Sequence, residues 1–225
     1  MKALPEAGVQ AVLFDLDGTL VDSAVDLYAA LCIYCDQNGV GAPPYATVRA
    51  VASRGARAIL RSAFGDDEEN LSCRMPSYLD IYARLKSQHT RPFAGIESLL
   101  AKLENAAVIW GIVTNKPTFL ARDVLKDMGW YQRSAALVCG DTLVQRKPHP
   151  APVNLACEQI GVTPQQCLFV GDDRRDVEAG RAAGLYTVAA GWGYLGGENP
   201  AHWCADALCE HPYQLASMLG FEPVA

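Results

Sequence analysis

The chain has 225 residues, half of them apolar, enough for one full core and a small second unit. Its 19 basic and 25 acidic residues give a formal charge of −6, which argues against non-specific binding to nucleic acid or to an anionic membrane surface. No apolar run approaches the ~20 residues needed to span a bilayer, and the opening MKALPEAGVQ lacks the apolar stretch of a signal peptide, so a cytoplasmic protein is expected.

In chain order, residues 9–14 form a short apolar run interrupted only by Gln10, the pattern of a buried parallel strand. From about Asp22 to Arg91 no strand pattern follows. Helical patterns cover residues 25–38, 45–51, 56–64 and a longer stretch to Gln88 that contains Pro76. Strand-like runs then resume at residues 107–113, 136–139, 167–170 and 185–189. Amphipathic helices are expected at 96–105, 118–128, 153–160 and 176–183, with Pro117 near the first turn of one and Gly129, Gly161 and Gly184 past the ends of three. Strand and helix alternating over such short connections predict an α/β fold, a doubly wound parallel sheet. Seventy helical residues between the first two strands exceed one crossover and read as an inserted helical domain. The expected division is a core of residues 1–21 and 92–225 and a helical unit of residues 22–91.

Eight cysteines invite a metal or redox reading. Cys32 and Cys35 form a C-x-x-C pair, but inside a helical pattern, whereas a reactive pair belongs at a helix N-terminus. His202, Cys204, Cys209 and His211 resemble a zinc set, yet Cys204 and Cys209 flank a short strand-like segment whose alternation separates neighbouring side chains. The cysteines are expected to serve packing.

The chemistry gathers where strands end. Asp15-Leu16-Asp17-Gly18-Thr19 closes the first run, and ligands of parallel sheets bind at the carboxyl ends of strands. A spacing of two sends Asp15 and Asp17 to one side of an extended backbone. By average residue usage D-x-D-G-T arises by chance in roughly one chain in a few hundred. Thr114-Asn115-Lys116 follows the second run and precedes a helix, an anion site with hydroxyl and amide donors. Lys147-Pro148 follows the third run, and Gly171-Asp172-Asp173-Arg174-Arg175-Asp176 follows the fourth. Singly, each reads as turn or cap chemistry. Four in this order do not.

These four pieces resemble the motifs of the haloacid dehalogenase superfamily of phosphohydrolases, in particular phosphoglycolate phosphatase-like enzymes, including those that act on N-acetylmuramic acid 6-phosphate. The resemblance covers nearly the whole chain and implies a Rossmann-like core with a helical cap after the first strand. It implies that Asp15 is the nucleophile, Asp17 the general acid and base, and Lys147 the main cation, with Thr114 and Asn115 binding phosphoryl oxygens and Thr19 orienting Asp17. It further implies Mg²⁺ held by the Asp15 carboxylate, the Asp17 carbonyl and Asp172, with Asp173 or Asp176 in support. A hard cation suits so many converging carboxylates beside a phosphate. Asp17 favours phosphate chemistry over dehalogenation, because a departing halide needs no proton.

The substrate reader is expected in the helical unit, at the break Ser53-Arg54-Gly55-Ala56-Arg57, since arginine suits bidentate binding of a carboxylate. Arg54 and Arg57 are the candidates, against the plainer reading of Arg57 and Arg61 as a solvated basic face. The expected activity is hydrolysis of a small phosphorylated metabolite, such as 2-phosphoglycolate or a sugar phosphate. A sugar-phosphate mutase would use the same motifs, and a non-catalytic binding protein would not need Asp15 and Asp17.

Overall fold

The computed structural model describes residues 4, 8–65, 67–85 and 87–221, so most of the MKALPEAGVQ segment, part of the 22–91 stretch and the end of the expected core lie outside the described residues. Strand β1 (Ala11–Phe14) is followed by a two-residue strand β2 (Val21–Asp22). Four helices come next, α1 (Ala24–Gln37), α2 (Tyr45–Val51), α3 (Ala56–Phe64) and α4 (Glu68–Leu85), and then β3 (Arg91–Pro92). The rest alternates: α5 (Ile96–Asn105), β4 (Ile109–Val113), α6 (Thr118–Asp127), β5 (Leu137–Val138), α7 (Ala151–Ile160), β6 (Cys167–Gly171), α8 (Arg174–Ala182) and β7 (Tyr186–Ala190). A last strand, β8 (Ala207–Cys209), and helix α9 (Pro212–Met218) close the described chain.

Six strands form one parallel sheet in the order β5-β4-β1-β6-β7-β8. Strand β1 is central, and every one of its residues is buried because helices cover both faces of the sheet. Val12 and Phe14 join Leu99, Leu103, Val124 and Leu215 on one side, while Ala11 and Leu13 join Val153, Ala156 and Ala179 on the other. The period-2 alternation of the strand thus feeds two cores. Full burial of each large aliphatic or aromatic side chain contributes about 1.5–3 kcal/mol. The fold is the expected α/β, Rossmann-like doubly wound parallel sheet with an all-helical insertion.

The inserted helices surround an apolar cluster of their own, built on Leu31, Tyr34, Ile59, Leu60, Leu71 and Tyr78. Where the chain leaves the sheet and where it returns, β2 and β3 pair antiparallel, Val21 with Pro92 and Asp22 with Arg91. This small ribbon was not legible as strand, and neither was α9. Helix ends differ from expectation by up to three residues: the stretch expected to reach Gln88 ends at Leu85, and the helix expected at 176–183 starts at Arg174, because Asp173 caps it. No described helix is long and apolar enough to cross a membrane.

Candidate active site

Strands β1, β4 and β6 lie side by side, and each releases its chemistry-bearing residues at its carboxyl end. Asp15 directly follows β1, its N–H donating to Val170 O at 2.9 Å. Lys147 arrives from the β5–α7 connection. The Asn115 carboxamide fixes that connection by bonding Lys147 in both directions, donating to its carbonyl at 3.0 Å and accepting from its N–H at 3.1 Å. The buried Lys147 Nζ then lies 2.8 Å from Asp15 Oδ1 and 2.7 Å from Asp176 Oδ1, and donates to Val113 O at 2.7 Å. Burial opposes the charge on Lys147, but Asp15 and Asp176 outweigh it and hold the amine above its ordinary range.

Asp176 belongs to the first turn of α8, where its Oδ2 accepts from Asp173 N at 3.0 Å. Both of its oxygens are therefore engaged. Asp172 is fully buried and, among the described residues, pairs with no cation: Thr19 Oγ1, Ser53 Oγ and Tyr194 N donate to it. Burial, with the charge of Asp15 added, pushes the Asp172 carboxyl up to about 7 against those donors. Asp15 Oδ1 is buried and takes no directed hydrogen bond despite its nearness to Lys147. One oxygen from each of Asp15, Asp172 and Asp176 falls within 4.8 Å of the others. Asp15 and Asp176 share the Lys147 amine while Asp172 has only neutral donors, so the three carboxylates outnumber the cation beside them and form a donor set suited to a hard divalent cation.

Asp17 sits one turn of the pleat beyond Asp15, on the same cavity. Its carboxylate is held by Lys116 Nζ, 3.0 Å from Oδ1 and 3.2 Å from Oδ2, and by the hydroxyl of Ser23. Thr19, expected beside Asp17, instead donates to Asp172 at 3.0 Å. The loop geometry explains this correction: Gly18, at φ +87°, turns the chain so that the next side chain points toward the end of β6.

The cavity measures about 330 Å³, near the lower end of the roughly 300–1,000 Å³ of small-molecule sites. Of the expected residues, Asp15, Asp17, Thr114, Asn115, Lys147, Arg54 and Arg57 all line it. The helical unit forms one wall and the strand ends the other. Each candidate arginine already has an acidic partner: Arg54 Nη2 lies 2.7 Å from Glu198 Oε1, and Arg57 Nη1 lies 2.5 Å from Glu68 Oε2. Glu68 also binds Arg61, so the basic face on α3 is paired rather than only solvated. The residues missed by sequence reasoning are Ser23, Ser53, Tyr82, Lys116, Arg175 and Tyr194. Lys116 lay inside a recognised motif. Tyr82 and Tyr194 lie far from any motif in sequence and meet the site only through the fold.

Comparison with known proteins agrees with this geometry. Residues 12–190 match the family model for haloacid dehalogenase-like hydrolases. The chain is 47% identical over 218 residues to a phosphoglycolate phosphatase of Xanthomonas campestris pv. campestris (strain 8004), covering 96% of each chain. It is 43% identical over 214 residues to an N-acetylmuramic acid 6-phosphate phosphatase of Pseudomonas aeruginosa, covering 94% of this chain and 95% of the relative. A crystal structure of a predicted phosphoglycolate phosphatase from Haemophilus somnus 129pt superposes with a TM-score of 0.85 at 25% identity, covering 93% of this chain and 97% of the other. The chain belongs to the haloacid dehalogenase-like hydrolases.

Proposed function

We propose that this enzyme, a phosphoric monoester hydrolase, uses Mg²⁺ and an aspartyl-phosphate at Asp15 to hydrolyse a small phosphorylated metabolite that carries a carboxylate, 2-phosphoglycolate being the leading candidate. The observation that carries this reading is Asp15 at the end of β1 with Lys147 at 2.8 Å and Asp17 on the same cavity. In the first step the Asp15 carboxylate attacks phosphorus, the ester P–O bond breaks, and Asp17 protonates the departing alkoxide. In the second, Asp17 takes a proton from water as that water attacks the phosphorus, which frees inorganic phosphate and Asp15. Lys147 offsets charge on the phosphoryl oxygens, and Asp176 keeps it aimed. Asp15, the Asp17 carbonyl and Asp172 would hold the Mg²⁺, with Asp176 in support: Asp172 has only neutral donors, whereas Asp176 already pairs with the Lys147 amine. The metal would supply charge stabilisation for the transferred phosphoryl group.

Residues 22–91 act as a cap over a core of residues 1–21 and 92–225, and Arg54 and Arg57 are the carboxylate readers. N-acetylmuramic acid 6-phosphate is the second reading, favoured by the relative at 43% identity, and it too carries a carboxylate. The eight free cysteines, five of them buried, suit a reducing compartment and support a cytoplasmic enzyme.

Release of inorganic phosphate from 2-phosphoglycolate and from N-acetylmuramic acid 6-phosphate by the purified protein tests this. Turnover should need Mg²⁺, stop in excess chelator, and vanish in Asp15→Asn, a nearly isosteric change. A folded Asp15→Asn protein that still turns over would sink the mechanism. Transfer of the phosphoryl group only to a sugar acceptor would make the enzyme a mutase.

A further inference from the structure

The carboxylate of Asp17 has two holders that the proposed chemistry has not used. Lys116 is nearly fully buried at the end of β4, and its Nζ reaches both oxygens of Asp17 at 3.0 and 3.2 Å. It is itself held from the helical unit: the Tyr82 hydroxyl of α4 lies 2.9 Å from Nζ, and the ring centroid 4.5 Å away. The second holder is Ser23, which occupies the N-cap position of α1. Serine there ordinarily accepts from the first N–H groups of the helix, but this one makes no cap hydrogen bond and gives its hydroxyl to Asp17 Oδ1. The Tyr194 hydroxyl serves the start of this helix instead, accepting from Ser23 N at 2.8 Å and Ala24 N at 3.0 Å. Two N–H groups at the helix start are thus met from the far side of the site, and the Ser23 hydroxyl is left to hold Asp17.

We propose that Lys116 and Ser23 are positioning residues that present the Asp17 carboxylate to the leaving-group oxygen, with Tyr82 tying that orientation to the docked helical unit. The inference rests on the proposed role of Asp17 as general acid. A carboxylate three residues past a strand end has free side-chain torsions, and a general acid works only within hydrogen-bond reach of the atom it protonates. Ser23 and Lys116 meet at Oδ1. Oδ2 has Lys116 at 3.2 Å and no second hydrogen bond among the described residues, so it is the oxygen left to face the substrate. A lysine that served only to bury a charge would not need the second holder, nor would Ser23 need to surrender its cap.

The test measures kcat for two substrates: 2-phosphoglycolate, or N-acetylmuramic acid 6-phosphate if that is faster, and 4-nitrophenyl phosphate, whose leaving group departs with little protonation. Ser23→Ala and Lys116→Met are each made alone and in an Asp17→Asn background. A general acid contributes roughly 10²–10⁴-fold, so each single change should lower kcat for the alkyl phosphate by about tenfold or more, and for the aryl phosphate by under about threefold. In the Asp17→Asn background either change should cost under about twofold, because residues acting as a unit are not additive. Equal losses on both substrates, or full losses in the Asp17→Asn background, would overturn the inference. Should Lys116→Met fail to fold, Ser23→Ala decides alone, since the Ser23 hydroxyl makes no cap bond to lose and the backbone bonds to Tyr194 remain. If Asp17→Asn itself lowers both substrates equally, the general-acid role is what fails.

Discussion

Asp172 shows how much of this site is decided by single residues. Two glycines make the space it occupies: a Cβ at Gly18 would fall 2.1 Å from Asp172 Oδ2, and one at Gly193 would fall 2.2 Å from Asp172 Cβ. Gly18 also has φ +87°, where a side chain is strained by about 1–3 kcal/mol. Gly18→Ala is therefore expected to destabilise the fold and to shift Asp172, with weakened binding of Mg²⁺ measured by calorimetric titration. The Asp172 carboxyl makes a second prediction. Burial raises it to about 7, above its ordinary 3.8, and Asp176 is raised in the same direction, by burial first. Between those values the folded protein holds protons that the unfolded chain has released. Without metal, stability should then fall as pH rises through that window. A divalent cation held as proposed would take the place of the proton, so added Mg²⁺ should raise Tm more at about pH 8 than at about pH 5.5. Scanning calorimetry at both pH values checks this, and an equal rise at both would show that Asp172 does not contribute to the metal site.

At the scale of elements, the insertion is stapled at its base. Asp26, buried in the first turn of α1, accepts from Thr90 N and Thr90 Oγ1, each at 2.7 Å, and from His89 N at 3.0 Å. It thereby ties the helix that leaves the core to the segment that returns through β3. Burial alone would raise its carboxyl, but the Thr90 and His89 donors hold it below the usual range. Asp26→Ala would leave the buried Thr90 donors unsatisfied, at about 1–3 kcal/mol for each group. Urea unfolding should register that loss, and kcat should change less than stability if the staple is structural. Nothing in the local pattern around Asp26 announced this bond, whose partners lie more than sixty residues away. The legible elements were those with a pattern along the chain: β1, β4, β6 and β7 as apolar runs, and α5, α6 and α8 as amphipathic repeats. The pair β2 and β3 has two residues per strand, too few to show alternation. The site divides in the same way. Asp15, Asp17, Lys147 and Asp172 stood out because turns at strand ends put them in short motifs, whereas Ser23 and Tyr82 belong to no motif and reach Asp17 and Lys116 only through the fold.

For the whole molecule, the decisive contacts are those between the helical unit and the sheet. Ser53 donates to Asp172, Arg175 Nη2 donates to Ser53 O at 2.8 Å, and Arg54 reaches Gly196 O at 3.1 Å and Glu198 Oε1 at 2.7 Å. The turn that would read the substrate is therefore fastened to the core at three points, two of them within the site. Arg54 and Glu198 are each about two-fifths exposed, with side-chain values of 40% and 38%, and such a pair contributes only about 0–1 kcal/mol. A substrate carboxylate inside the cavity can displace Glu198 at little cost and gain a charge-assisted hydrogen bond of about 1.5–3 kcal/mol. Arg54→Ala, or Arg57→Ala if that residue is the reader, should then lower kcat/KM for 2-phosphoglycolate by roughly tenfold to a hundredfold. An aryl phosphate without a carboxylate should be hydrolysed nearly as before. Glu198→Gln separates reading from fastening. It keeps the arginine but removes its rival anion, so the preference for the carboxylate substrate should hold or rise. If Arg54 only fastens the cap, Arg54→Ala and Glu198→Gln should instead lower turnover of both substrates together, through a lid that closes less often. An unchanged ratio of the two kcat/KM values in both Arg54→Ala and Arg57→Ala would end the reader role, and leave the helical unit as a lid whose selectivity lies elsewhere on its cavity wall.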